Sequence, residues 1–206
     1  PAENDACLAH YGRTPVEQLH AAGLLDARFT AVHATHLTDG DIASLGRSGS
    51  SACFCPSTER DLADGIGPAT ALRDNGSRLT LGSDQHAVID MVEEARALEM
   101  HERLATLQRG RLTPADLLAA VTAHGTIQWP DAGSLSVGAR ADLVAIRLDT
   151  PRTAGADPAQ ILLAASASDV DTVIRDGEEV VTGGRHRLGD AGRLLTDAID
   201  PLWRDA

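Results

Sequence analysis

Three short apolar runs, each closed by polar residues and followed by a helical pattern, constrain this chain more than any other feature of it. They are Thr30-Ala31-Val32-His33-Ala34, Ser51-Ala52-Cys53-Phe54-Cys55 and Arg78-Leu79-Thr80-Leu81-Gly82-Ser83-Asp84. Runs of this length read as buried strands, and strands alternating with helices build a parallel sheet covered by helices. The expected fold class is therefore α/β. Before the first run, Thr14-Pro15 reads as an N-cap with proline at the first helical position, followed by a stripe of Val16, Leu19, His20 and Leu24. Thr38 with Asp41 opens a helix through Ile42 and Leu45 that closes at Gly49. Ser57 to Gly65 reads as a polar loop leading into a helix from about Pro68 to Asn75. An amphipathic helix is expected from about Asp90 to Gln108 on Val92, Ala95, Leu98, Leu104 and Leu107, and Thr113-Pro114-Ala115-Asp116 caps another through about Ala123.

After about Trp129 the texture changes. Gly133 to Leu148 and Val170 to His186 are Val/Ile strands joined by glycine turns, and Asp176-Gly177 is a hairpin signal. Residues 149 to 169 hold a Pro/Gly/Ala loop and a short helix at Pro158 to Ala165. The chain thus divides into residues 1–128, a β/α part, and residues 129–206, a mostly β part.

The bulk numbers narrow the partners. Among 206 residues, 18 Lys+Arg stand against 30 Asp+Glu, a formal charge of -12 that disfavours nucleic acid or an anionic membrane surface. No apolar run approaches the roughly 18 residues of a membrane span. Three cysteines, Cys7, Cys53 and Cys55, make an odd count that suits a reducing cytoplasm. Cys53 and Cys55 face one side of their strand and read as small buried hydrophobes. The chain opens on Pro1 without an initiator Met or signal peptide, so it is expected to begin in mid-domain.

The polar residues that close the three runs would lie on one face of a β/α barrel, where the loops converge on a central cavity. Asp84, a carboxylate ending an apolar strand, is placed to ligate a divalent metal and to take a proton from water; its ordinary use would be as a helix N-cap. His33 could stabilise developing charge or shuttle a proton, or could be a satisfied core histidine. His36, His86 and Glu59 carry less on their own. The order of histidine, Pro-Ser-Thr-Glu loop and Gly-Ser-Asp on three successive β/α units is far more specific than any one of them.

On these motifs the chain resembles the amidohydrolase superfamily. Val32-His33-Ala34-Thr35-His36, Cys55-Pro56-Ser57-Thr58-Glu59 and Leu81-Gly82-Ser83-Asp84-Gln85-His86 look like strands six, seven and eight of its barrel. Gly138-Ala139-Arg140-Ala141-Asp142-Leu143 and Val173 to His186 are similar to its flanking β-sandwich. The Ser57-Thr58-Glu59 loop with Asp61-Leu62-Ala63-Asp64-Gly65 is similar to the formimidoylglutamate deiminase group. The resemblance implies the C-terminal half of a TIM (β/α)8 barrel followed by part of a β-sandwich domain. It implies a divalent metal, one zinc, with Asp84 as ligand and base, His33 as the catalytic histidine, and Glu59 and His86 at the substrate. The reaction implied is hydrolytic deimination of N-formimino-L-glutamate to N-formyl-L-glutamate and ammonia.

The superfamily's paired histidines of strand one, its strand-five histidine and the glutamate after it fall before Pro1. The expected partner is accordingly the N-terminal half of the same barrel, and the isolated chain is expected to bind metal weakly and to be inactive. Half a barrel leaves two strand edges unpaired, so a homodimer is the other expectation. The competing functions are a nucleobase or triazine deaminase or chlorohydrolase of the same superfamily, and a non-catalytic fragment that acts only by pairing with its other half.

Overall fold

The computed structural model describes residues 1–85, 88–123 and 129–204. The chain opens with helix α1 (Ala2–Tyr11), which buries none of its residues. Helix α2 (Pro15–Ala21) begins at the expected Thr14-Pro15, with Glu17 completing a capping box. Strand β1 (Thr30–Val32) follows, then helix α3 (Asp39–Ser48), boxed by Thr38 and Asp41 and closed by Gly49 in the left-handed conformation. Strand β2 (Ser51–Phe54) leads directly into helix α4 (Pro56–Asp61), and helix α5 (Ala69–Asp74) precedes strand β3 (Arg78–Leu81). Helix α6 (Met91–Thr106) and helix α7 (Pro114–Val121), boxed by Thr113 and Asp116, complete the β/α part.

The three strands are parallel in the order β1-β2-β3, with Ala31 opposite Ala52 and Ala52 opposite Leu79. Side chains alternate across a strand, so Ala31, Ala52, Phe54, Leu79 and Leu81 point to one face. There they join Ile42 and Leu45 of α3, Leu72 of α5, Leu98 of α6 and Leu117 of α7 in a single core. Close contact inside this layer depends on one glycine. A Cβ on Gly46 of α3 would lie 2.0 Å from the backbone oxygen of Asn75 at the end of α5, so no larger residue lets these helices approach.

Two readings of the sequence are corrected here. Ser57 to Gly65 is not loop throughout, because α4 occupies its first half. Helix α6 ends before Gln108: Leu107 caps it at φ 57°, and Leu104 and Leu107 are 71% and 90% exposed. The buried face of α6 instead carries Glu94, Glu99 and Glu102 beside Val92, Ala95 and Leu98. Each of these glutamates accepts hydrogen bonds from backbone N–H groups elsewhere in the chain. Glu94 takes that of Ser57 at 2.9 Å, Glu102 that of Thr70 at 2.8 Å, and Glu99 those of Gly110 at 2.8 Å and Leu112 at 2.9 Å. Buried backbone donors need such partners, and α6 supplies them for three segments.

Strands β4 (Leu143–Ile146), β5 (Val170–Arg175), β6 (Glu178–Thr182) and β7 (Arg185–His186) form an antiparallel sheet in that order. Asp176 at φ 52° and Gly177 at φ 82° make the expected tight hairpin. The segment between β4 and β5 does not stay with the sheet. Its 3₁₀ turn (Pro158–Leu163) sets Leu162 and Ala165 into the core of the β/α part, and Arg96 of α6 donates to the Ala165 carbonyl at 2.8 Å. Helix α8 (Ala191–Arg204), which the sequence reading did not include, ends the described chain and buries none of its residues. Among the described residues, no helix is long and apolar enough to cross a membrane.

Candidate active site

The parallel strands end in register, and the polar residues lie within three positions of their ends: His33 after β1, Cys55 after β2 and Asp84 after β3. His33 follows β1 and donates its N–H to the Cys53 carbonyl at 2.7 Å; Gly82 follows β3 and donates to that of Phe54 at 3.0 Å. His33, Ala34 and Asp84 all have positive φ, at 65°, 47° and 44°. Residues with a Cβ adopt this region at a cost of about 1–3 kcal/mol each. The strain turns two side chains from different strand ends toward one point. His33 Nε2 lies 3.6 Å from Asp84 Oδ2.

The other side of the imidazole faces inward. His33 Nδ1 lies 3.4 Å from Glu59 Oε1, whose side chain is 2% exposed. Glu59 reaches this position because it sits in the first turn of α4 and folds back, its Oε1 accepting the Cys55 N–H at 2.8 Å. Burial pushes the Glu59 carboxyl above its ordinary range, opposed by the Cys55 N–H and by His33. Glu59 is thus gathered with His33 but below it, while Asp84, 40% exposed, stands on the open side.

The thiols of β2 line the same place. A Cβ on Gly82 would touch Cys55 Sγ at 3.3 Å and Cys53 Sγ at 3.6 Å, so the glycine lets the end of β3 close over both sulfurs. A hydrogen bond with Cys55 draws the Cys53 thiol downward in pKa, against burial and the carboxylates of Glu59 and Asp84. Cys55 is pushed upward by its hydrogen bond with Cys53, by burial and by the same carboxylates.

Donor atoms of His33, Cys55 and Asp84 all lie within 4.8 Å of one another. A nitrogen, a sulfur and a carboxylate oxygen suit a borderline ion such as zinc, so on donor chemistry these residues fit a divalent metal. Of the residues singled out in the sequence, His33, Glu59 and Asp84 are brought together. His36 is exposed at the surface, and His86 lies outside the described residues. Cys55 was read as packing alone; its facing the same side as Cys53, next to a site loop, was the only signal that it borders the site. Gln85 continues the rim by donating to Asp61 at the end of α4.

Polar side chains gathered at the carboxyl ends of parallel strands lie where β/α folds carry their active sites. The chain belongs to the amidohydrolase family, whose model matches residues 1–180. It is 39% identical over 196 residues to a formimidoylglutamate deiminase of Pseudomonas aeruginosa, covering 89% of this chain and 43% of that protein. A 5-methylthioadenosine/S-adenosylhomocysteine deaminase of Pelotomaculum thermopropionicum is 34% identical over 197 residues, covering 92% of this chain and 46% of the other. Among solved structures, an adenosine deaminase from Xanthomonas campestris with bound zinc superposes with a TM-score of 0.90 at 29% identity, over 99% of this chain and 48% of that one. The chain therefore spans less than half the length of these relatives.

Proposed function

We propose that this chain supplies the carboxylate and histidine of a metal-dependent hydrolase that deiminates N-formimino-L-glutamate to N-formyl-L-glutamate and ammonia. The observation that carries the reading is the approach of His33 Nε2 to Asp84 Oδ2, 3.6 Å across the open end of the sheet. At that separation the two groups do not satisfy each other by a good hydrogen bond, and both can reach a third group set between them. The similarity to the Pseudomonas deiminase supports the substrate.

In this reading Asp84 is a ligand for one divalent ion, zinc, and the remaining ligands come from the N-terminal half of the same barrel. A divalent ion bound there lowers the pKa of water toward neutrality. Asp84 accepts the proton as the water oxygen bonds to the formimino carbon. His33 stabilises the charge that develops on the tetrahedral carbon's substituents. The proton held by Asp84 passes to the terminal nitrogen; the carbinol hydroxyl then becomes the formyl carbonyl, and its proton goes to the same nitrogen as the C–N bond breaks and ammonia leaves. Residues 1–128 form the barrel portion, and residues 129–206 belong to a β-sandwich of which β4 to β7 are a part. The free edges of β1 and β3 among the described strands support pairing with the rest of the barrel or with a second copy. His86 is assigned to substrate contact by the resemblance alone.

A second reading is favoured by the similarity to the methylthioadenosine deaminase: the same residues would act on an amino-substituted purine. Ammonia release from N-formimino-L-glutamate and from 5-methylthioadenosine, with and without the N-terminal half, together with zinc content, decides between them. Release from the formimino substrate only when both halves are present is expected. Full turnover by the 206-residue chain alone, or turnover of the purine nucleoside only, would refute it.

A further inference from the structure

His33 stands between two carboxylates of opposite character. Asp84 meets Nε2 on the open side, and Glu59, nearly inaccessible, meets Nδ1 at 3.4 Å on the closed side. Nδ1 is itself buried and makes no hydrogen bond of good geometry, although an acceptor lies against it. A neutral imidazole has one N–H and one lone pair. With the proton on Nε2, the Nδ1 lone pair would oppose the carboxylate oxygens of Glu59 in a place that water does not reach. With the proton on Nδ1, the buried carboxylate gains a donor and the buried nitrogen an acceptor, which is the arrangement that desolvation favours.

We propose that Glu59 is a positioning residue: it holds His33 in the Nδ1–H form and turns Nε2 toward Asp84, and it does not touch substrate. Its own position is fixed from behind. The Cys55 N–H anchors its Oε1 at 2.8 Å, and Glu94 of α6 anchors the start of α4 through the Ser57 N–H at 2.9 Å. The His33 backbone is fixed independently by its bond to the Cys53 carbonyl. This inference deepens the deiminase reading and rests on it for what Nε2 meets, whereas the tautomer does not depend on any activity.

Nitrogen-15 NMR of histidine-labelled protein reads the tautomer directly, with His33 identified by the signals lost in His33→Asn. The expected result for the 206-residue chain is a protonated Nδ1. Glu59→Leu, which removes the acceptor facing Nδ1, should move the proton to Nε2, whereas Glu59→Gln, whose Oε1 can still accept from both the Cys55 N–H and Nδ1–H, should keep the original form in larger part. A protonated Nε2 in the unmodified protein, or a spectrum unchanged in Glu59→Leu, would overturn the proposal. Should Glu59→Leu fail to fold, the unmodified protein still decides. In the complete barrel, Glu59→Leu should lower kcat about 10- to 100-fold, as loss of a partner behind a site histidine does, with KM changed less than about twofold. A raised KM with kcat preserved would make Glu59 a substrate contact instead. Absence of turnover in every form, beside an Nδ1–H spectrum, would remove the deiminase reading and leave the positioning role standing.

Discussion

The first turn of helix α4 and the buried face of helix α6 use the same residue type to opposite purposes. Glu99 of α6 is buried yet fully engaged: it accepts from Arg103 at 2.8 Å and from the Gly110 and Leu112 N–H groups. Burial pushes its carboxyl up, but the Arg103 and backbone hydrogen bonds win and hold it below its ordinary range. Glu59 is buried to a similar degree, and there burial wins. Around it His33 Nδ1, Ser57 Oγ, Thr58 Oγ1 and Glu94 Oε1 are buried without hydrogen-bond partners. Around Glu99 the polar groups are paired, whereas around Glu59 several buried polar atoms are left without partners.

The largest effect should come from removing the carboxylate on the open side. Asp84→Asn in the complete barrel is expected to lower turnover about 10³-fold, the scale of a lost general base, while its urea midpoint stays unchanged. A fall in stability of the kind seen for core mutations would instead make Asp84 a structural cap. On the other side of the comparison, Glu99→Ala should cost about 2 kcal/mol in urea unfolding, because it strands the buried Leu112 N–H along with the Gly110 N–H and a partly buried arginine. A loss below 1 kcal/mol, on the order of a surface pair, would show that the α6–α7 loop finds other partners.

The pH dependence should separate the two glutamates by sign. The folded-state pKa of Glu99 is depressed, so its stabilisation is present above its ordinary value of 4.5 and is lost as pH falls through the lowered one. That of Glu59 is raised, so its contribution is present at low pH and is lost as pH rises from 4.5 through the raised value. Relative to the unmodified protein, Glu59→Gln should gain stability as pH rises above 4.5, whereas Glu99→Gln should lose it as pH rises toward 4.5 and stay level above it. Parallel profiles for the two variants would erase the distinction. The smallest effect is expected from Gly82→Ala, which meets a sulfur at 3.3 Å. It should cost about 1 kcal/mol, the low end for overpacking, and slow the reaction of Cys55 with a thiol reagent; an unaltered rate would mean that the strand end does not shield it.

Local chemistry written in consecutive residues was legible from the chain. The capping boxes Thr14/Glu17, Thr38/Asp41 and Thr113/Asp116 form where the sequence placed them, since donor and acceptor lie three residues apart. The Asp176-Gly177 turn followed for the same reason. The order of His33, Glu59 and Asp84 along three β/α units likewise pointed to side chains that the fold brings together.

Tertiary structure alone decided the rest. Helix α4 has no apolar stripe, and its first N–H groups are satisfied by Glu59 from within and by Glu94, 37 residues further on. Glu59 read as part of a polar loop, but helix α4 turns its side chain inward and leaves it buried beneath His33. Cys55 joined His33 and Asp84 because the strand register brought the ends of β1, β2 and β3 level. Caps and turns close over a few residues and are fixed by sequence. Burial, and the proton positions that burial dictates, depend on partners that only the folded chain brings within reach.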